Sequence, residues 1–188
     1  LGRMANAVTV QMNAQHRAGM DLSGALGGDF FRVGAVQISP ANNNTGTATP
    51  AATRIDVGSL TEYDYVLENT AGGMALQRAD TGEPVAMTGS GTVADPYLAA
   101  GLSIVTGGAA AVGDRFMIRP TRAAVAGFGL AVTDASRVAA AAPVRTSSSV
   151  ANTGGATVSS GEVLDASNPA LRTPATIEFT SATTYSIN

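Results

Sequence analysis

The side chains that could do chemistry in this sequence are few, and their types exclude most classes of catalytic site. The 188 residues include one histidine, His16, no cysteine, and eleven basic side chains that are all arginine. A Ser–His–Asp triad therefore has a single candidate base, and a metal site built from cysteines or several histidines is impossible. A phosphate-binding Walker loop needs a lysine, which the chain lacks. We expect no catalytic residue, no cofactor and no metal ion.

Acidic side chains are densest between residues 56 and 68, and paired carboxylates are the groups that glycosidases use. The four acids there are Asp56, Glu62, Asp64 and Glu68. On a sheet with one buried face, acids at this spacing usually form the solvated face. We therefore favour a structural role for these carboxylates over glycoside hydrolysis.

Three arginines are clustered in the sequence GDRFMIRPTR at residues 113–122. On a strand, Arg115, Met117 and Arg119 would share one face. Phe116 and Ile118 would share the other face. This alternation predicts a polar outer face above an apolar inner face. Arg115, Arg119 and Arg122 are then candidates for contact with a protein or a carboxylate.

The composition argues against several kinds of partner. The formal net charge is −3, charged residues make up 13% of the chain, and tryptophan is absent. A nucleic-acid or anionic-membrane surface needs clustered positive charge, so neither partner is expected. No run of about 18 apolar residues could span a membrane, and no cleavable signal peptide opens the chain. We interpret the sequence as an internal fragment, with no small-molecule substrate.

Residues 1–18 have the spacing of an amphipathic helix. Leu1, Met4, Val8 and Met12 recur every three or four residues, and Gly19 is a suitable stop. The apolar stripe is narrow, like the seam of a coiled coil. A lone helix of this length is marginal in water, so the four apolar residues are expected to contact helices of the same or a neighbouring chain.

The rest of the chain is mainly β in pattern. Short strand-like runs recur about every ten residues, separated by Gly, Asn, Asp and Pro, which is typical of an antiparallel sandwich or barrel. Residues 40–52 are low in complexity and are expected to form a surface loop. The expected strands are 31–35, 54–57, 63–68, 74–78, 84–88, 102–105, 115–119 and 128–133.

The C-terminal part has weaker patterns. An Ala-rich helix is expected between Asp134, a suitable N-cap, and Pro143, and a linker is expected over residues 144–161. Residues 177–187 (IEFTSATTYSI) align with residues 55–65 (IDVGSLTEYDY), which predicts a strand–turn–strand repeat. The expected organisation is a helix and turn, a β-rich module, and a linker that leads into a truncated second β module, over residues 1–31, 32–143 and 144–188.

Several stretches, taken in order, resemble the flagellar hook-associated protein 1 family, the hook–filament junction proteins of bacteria. The most specific is GDRFMIRPTR, which is followed by DASRVAAAAP. The matching stretches are NAQHRAGMDLSG with GDFF, VGSLTEYDYV, GDRFMIRPTR, DASRVAAAAP, DASNP and YSIN, at residues 13–24 with 28–31, 57–66, 113–122, 134–143, 165–169 and 185–188.

This resemblance implies an outward-facing β region and an N-terminal helix that ends a helical rod domain. It also implies a non-enzymatic structural subunit of the extracellular flagellum, exported by the flagellar type III route without a cleaved signal. The implied partners are the hook protein, the second junction protein and copies of the chain itself.

An extracellular β-sandwich adhesin or carbohydrate-binding module is the alternative function. The low charge and the Thr-, Asn- and Gly-rich composition are compatible with it. Sugar binding needs exposed aromatic side chains for stacking, however, and the chain has four tyrosines and no tryptophan.

Overall fold

The computed structural model describes residues 1–166 and 168–188, so Ser167 of the DASNP stretch lies outside the described residues. The chain divides into two compact units, one made of Leu1–Met12 with Phe31–Ala131 and the other of Asn13–Phe30 with Val132–Asn188.

The helices are α1 (Gly2–Arg17) and α2 (Arg122–Ala126), with short 3-10 helices at Ala135–Arg137 and Pro169–Arg172. The strands are β1 (Phe31–Arg32), β2 (Gln37–Pro40), β3 (Thr49–Arg54), β4 (Tyr65–Thr70), β5 (Gly73–Arg78), β6 (Pro84–Val85), β7 (Tyr97–Ala99), β8 (Leu102–Gly107), β9 (Arg115–Arg119), β10 (Gly129–Leu130), β11 (Ile177–Phe179) and β12 (Tyr185–Ile187).

The first unit contains two antiparallel sheets that share one core. The larger sheet has the order β2-β9-β4-β5-β6 and the smaller has the order β3-β8-β7. Side chains from both sheets form a single buried cluster, which is the arrangement of a β-sandwich. The predicted class, mainly antiparallel β with an N-terminal helix, is confirmed. The buried cluster consists of Leu60, Tyr65, Leu67, Leu76, Ala99, Leu102, Ile104, Phe116 and Ile118.

Strand β9 has the two faces that its sequence predicts. Phe116 and Ile118 are buried in the core, whereas Arg115, Met117 and Arg119 are exposed or half-buried on the other side. Strand β9 lies between β2 and β4 in the sheet, so its alternation anchors the register of both neighbours. The strands predicted at 63–68, 74–78 and 102–105 are also present, with ends shifted by a few residues.

All four edge strands of the sandwich contain or adjoin a proline. Pro40 ends β2, Pro50 lies within β3, Pro84 begins β6, and Pro96 directly precedes β7. Proline has no backbone N–H to donate to a ladder and is therefore confined to edges, strand ends and bulges. The positions of these residues agree with the sheet order.

Part of the predicted surface loop over residues 40–52 is wrong, because β3 occupies Thr49–Arg54 and pairs with β8 along its whole length. The predicted strand at 54–57 is correspondingly displaced, since β3 ends at Arg54. Threonine, proline and alanine give a weak strand signal by themselves. Pairing with β8, whose alternate side chains are buried in the core, supplies the missing preference.

The predicted Ala-rich helix over 134–143 is reduced to a 3-10 turn at Ala135–Arg137. The Asp134 side chain does cap this turn by accepting a hydrogen bond from the Ser136 N–H. The following backbone is extended, and Ala141 forms an isolated β-bridge with Met20. Helix formation would sacrifice these pairings, so tertiary contacts override the helix preference of alanine.

The predicted strand–turn–strand repeat is present in one of its two copies. Strands β11 and β12 form an antiparallel hairpin in which Ile177 opposes Ile187 and Phe179 opposes Tyr185. Residues 55–57 lie outside the strands, so the first copy does not have this form. The predicted boundaries at residues 31 and 143 stay a prediction.

Candidate protein-interaction surface

Helix α1 buries its polar stripe and exposes its apolar stripe. Asn6, Thr9, Asn13 and His16, spaced three and four residues apart, are all buried. On the other side, Leu1, Met4, Val8 and Met12 are 92, 67, 46 and 39% exposed. A surface helix of a globular protein normally has the opposite arrangement. The four apolar residues, which we call the apolar seam, are therefore available for contact.

His16 links the C-terminal end of α1 to other residues of the second unit through hydrogen bonds. Its Nε2 atom accepts a hydrogen bond from the Ala139 N–H at 2.9 Å, so the Nδ1 atom carries the proton and donates to the Gly28 carbonyl, also at 2.9 Å. The ring also makes an edge contact with Phe30. His16 therefore lies in the last turn of α1, and both of its ring nitrogens are used inside the fold.

Two further side chains hold the segment after α1. The Asn13 side-chain oxygen accepts a hydrogen bond from the Phe30 N–H at 2.9 Å, and Arg17 forms an ion pair with Asp29. The polar stripe of α1 is thus used within the chain itself. The residues of its apolar seam, in contrast, are all exposed.

The three predicted contact arginines lie near carboxylates of the acidic stretch. Arg115 is 3.0 Å from Glu68, which is opposite it in the β4–β9 register. Arg122 is 2.8 Å from Asp64, and Arg119 is 3.9 Å from the same carboxylate. These pairs join the three arginines to Glu68 and Asp64 in a charged outer face of the larger sheet. Asp56 and Glu62 are not part of it, because Asp56 accepts hydrogen bonds from Gly58 and Ser59, and Glu62 lies 3.6 Å from Arg3. Contact of the arginines with another protein stays a prediction.

Asp114 is a buried carboxylate that the sequence analysis did not single out. It is 2% exposed, and its two oxygens accept hydrogen bonds from the backbone N–H groups of Thr45 (2.8 Å), Ala111 (2.9 Å) and Gly46 (3.0 Å). These bonds, first of all that from Thr45, hold the pKa of Asp114 below its ordinary value. Asp114 thereby ties residues 45–46 to the loop before β9.

Replacing Asp114 by asparagine is expected to lower the melting temperature at pH 7 by roughly 5 °C, because the amide group cannot accept three N–H donors. Because the pKa of Asp114 is lowered in the folded state, its carboxylate stabilises the fold at pH values above the unfolded-state pKa of about 3.9. This stability is lost as the pH falls through the folded-state pKa. The wild type should therefore lose stability below about pH 4, and Asp114→Asn should lose less over the same interval.

Thermal melts at a series of pH values, followed by circular dichroism, would measure both effects. The matched control is Asp95→Asn, which changes an exposed aspartate of the same unit. Equal melting temperatures and equal acid slopes for Asp114→Asn and the wild type would show that the buried carboxylate does not stabilise this loop.

Two features are absent from the described residues. No group of three or more His, Asp or Glu side chains among them could hold a metal ion. No helix among them is long and apolar enough to cross a membrane.

Comparison with known proteins shows similarity to flagellar junction proteins, although no family model matches the chain. The chain is 29% identical over 143 residues to flagellar hook-associated protein 1 of Escherichia coli strain K12, and 29% identical over 142 residues to that of Salmonella typhimurium. Each match covers 75% of this chain, which spans about a quarter of the length of these curated relatives.

A solved structure shares both fold and sequence with this chain. The flagellar hook junction protein FlgK from Burkholderia pseudomallei matches with a TM-score of 0.66 and 34% identity, over 74% of this chain and 25% of that one. The class of protein that the chain resembles in both fold and sequence is therefore that of flagellar hook junction proteins. Within this class, the resemblance to the flagellar hook-associated protein 1 family is confirmed.

Proposed function

We propose that this chain is a structural, non-enzymatic segment of the bacterial flagellum, located at the junction between hook and filament. The ordered similarity to hook-associated protein 1 supports the proposal, and so does the inverted arrangement of α1. The segment lies outside the cell. It is exported there by the flagellar type III route without a cleaved signal. Its partners are the hook protein, the second junction protein and copies of itself.

The apolar seam is the part of the chain that we assign to assembly. Burying a Leu, Met or Val side chain stabilises a contact by roughly 1.5–3 kcal/mol, so the four residues together offer substantial binding energy. Their three-and-four spacing suits the side of another helix, from the same parent chain or from a neighbour. The polar stripe of α1 is buried within the chain, whereas Gln11 and Gln15 remain exposed beside the apolar seam.

We assign the charged outer face of the larger sheet a secondary role in the same assembly. Arg115 and Arg122 remain more than half exposed although each pairs with a carboxylate. Exposed pairs contribute little stability, and rim charges affect association more than folding. These arginines would adjust orientation and rate of association, and Arg119 would support them.

Residues 144–188 are assigned to a linker and the opening of a second β module. Ile177 and Phe179 share one face of the β11–β12 hairpin with Tyr185 and Ile187, and all four are at least 46% exposed. An isolated two-stranded hairpin is at best marginally stable in water. Further strands that cover this face would complete a module.

No observation favours the carbohydrate-binding alternative. Of the four tyrosines, Tyr65 is buried, Tyr63 and Tyr97 are half-buried, and only Tyr185 is exposed in the part of the chain that the structure describes. The exposed rings of Phe179 and Tyr185 meet at an angle of 62°, which is not the geometry of a flat stacking platform.

The test of the proposed function is the double substitution Val8→Glu and Met12→Glu in the full-length protein of the parent bacterium. Glutamate favours helix formation, so the helix should persist, whereas two charges on the seam should prevent helix packing. We expect at least a tenfold loss of swimming in soft agar and of filaments seen by electron microscopy. The melting temperature of the 188-residue chain should change by less than about 2 °C, because both positions are exposed.

The matched control is Val93→Glu with Val112→Glu, which places the same charges at apolar loop residues that are exposed in the same unit. This control should assemble like the wild type. Normal filaments on cells with the seam variant would overturn the assignment of the seam.

A further inference from the structure

A cavity of about 270 Å³ lies in the first compact unit beside the buried stripe of α1. Most of its lining is aliphatic, and only a few polar side chains face it. Pockets that bind small ligands commonly combine an apolar wall with a small number of converging polar groups. The lining consists of Asn6, Thr9, Val10, Val33, Ala35, Val36, Ala52, Thr53, Arg54 and Val57.

Arg54 brings an uncompensated positive charge to this cavity. Its Nε atom donates to the Pro120 carbonyl at 2.7 Å and Nη1 donates to the Gly34 carbonyl at 2.8 Å, which fixes the guanidinium. The Nη2 atom is buried and has no hydrogen-bond partner among the described residues. No ion pair within the described residues involves Arg54 either, in contrast to Arg115 or Arg122.

Burial lowers the pKa of the Arg54 guanidinium from its ordinary value, because the charged form has lost solvation. Arginine nevertheless stays protonated at any physiological pH. A buried cation is destabilising unless an opposite charge or hydrogen bonds compensate it. The neutral carbonyls that hold Arg54 provide hydrogen bonds only.

Thr9 supplies a second unpartnered group at the same cavity. It is 7% exposed, and its Oγ1 atom has no hydrogen-bond partner in the part of the chain that the structure describes. A buried hydroxyl without a hydrogen-bond partner destabilises the folded state. Both orphaned groups can donate a hydrogen bond, so an acceptor that reaches both would remove both penalties.

We propose that this cavity binds an aliphatic carboxylate. The carboxylate accepts hydrogen bonds from Arg54 Nη2 and Thr9 Oγ1, and the hydrocarbon part packs against valines such as Val36 and Val57. A carboxylate satisfies the geometry of a guanidinium and compensates its charge, which a neutral ligand or water does not. The source is either a free short-chain acid or the glutamate side chain of a polypeptide.

The test is a titration of the isotope-labelled 188-residue chain with butyrate, followed by NMR chemical shifts of residues around the cavity. Butyramide, which has nearly the same shape and no charge, is the matched ligand control. We expect saturable butyrate binding with a Kd of roughly 1 mM and at least tenfold weaker binding of butyramide.

Two substitutions separate binding from folding. Arg54→Gln and Thr9→Val should each weaken butyrate binding about tenfold, while Arg32→Gln, which changes an exposed arginine of the same unit, should not. Thr9→Val also removes the orphaned hydroxyl and keeps the shape of the side chain. The Thr9→Val variant should therefore bind butyrate less well and also have a higher melting temperature. A merely structural role of Thr9 would not produce this combination.

A second titration with an acetylated and amidated Ala-Glu-Ala peptide identifies the source of the carboxylate. Tighter binding of the peptide than of butyrate supports a glutamate side chain, and binding of butyrate alone supports a free acid. The proposal is overturned if neither ligand binds saturably, if butyramide binds as well as butyrate, or if Thr9→Val and Arg54→Gln retain full affinity.

Discussion

Replacing Ile118 by alanine is expected to lower the free energy of unfolding of the sandwich by about 3–4 kcal/mol. The side chain is fully buried on the core face of β9, where its neighbours across the ladder are Ile38 of β2 and Tyr65 of β4. Truncation removes three buried carbon atoms and leaves a cavity between the two sheets, which rigid strands can close only in part.

Urea denaturation of the 188-residue chain, monitored by circular dichroism, would measure this loss. Ile55→Ala provides a matched control, because Ile55 is 57% exposed and loses the same atoms. We expect the control to cost less than about 1 kcal/mol. Similar losses for the two variants would contradict a single shared core centred on β9.

Gly101→Ala is the second substitution with a large expected effect, at about 3 kcal/mol. Gly101 lies in the tight turn between β7 and β8 with a φ of +76°, where an alanine is strained by roughly 1 kcal/mol. A Cβ atom there would lie 2.3 Å from the carbonyl oxygen of Asp56. The Gly101 carbonyl also accepts hydrogen bonds from the N–H groups of Ile55 and Asp56, so relief of the clash would disrupt these bonds.

Gly82→Ala separates the two contributions. Gly82 has a similar φ of +72°, but no atom lies within 4 Å of its would-be Cβ. Its substitution should therefore cost only the backbone strain of about 1 kcal/mol. If Gly101→Ala and Gly82→Ala are equally destabilising in urea denaturation, the close approach of residue 56 is not what demands glycine at position 101.

The elements that the sequence predicts correctly are those whose own side chains define a buried face. Strand β9 is one case, since alternation of Phe116 and Ile118 with polar neighbours is sufficient to assign its position and orientation. Helix α1 is another, because its apolar seam has helical spacing. In α1, however, the spacing reveals the exposed side, and nothing local shows that the polar stripe is the buried one.

The features that the sequence does not reveal depend on contacts between distant residues. His16 is hydrogen-bonded to Ala139, 123 residues away in the chain. Asp114 is hydrogen-bonded to Thr45, 69 residues away. The cavity side chains Thr9 and Arg54 are likewise far apart in the chain. A polar residue that is buried by such contacts has the same local pattern as a solvated one, so only the fold distinguishes them.

The prolines at the sheet edges have a consequence for contacts between two copies of the sandwich. Open strand edges are templates for pairing with another molecule, which leads to uncontrolled growth of aggregates. Here each edge strand contains or adjoins a proline that cannot donate to such a ladder, namely Pro40, Pro50, Pro84 or Pro96. Edge-to-edge pairing of two sandwiches is therefore disfavoured at these positions, and under the proposed function contacts between copies would involve side chains of α1 rather than the backbone of the sheets.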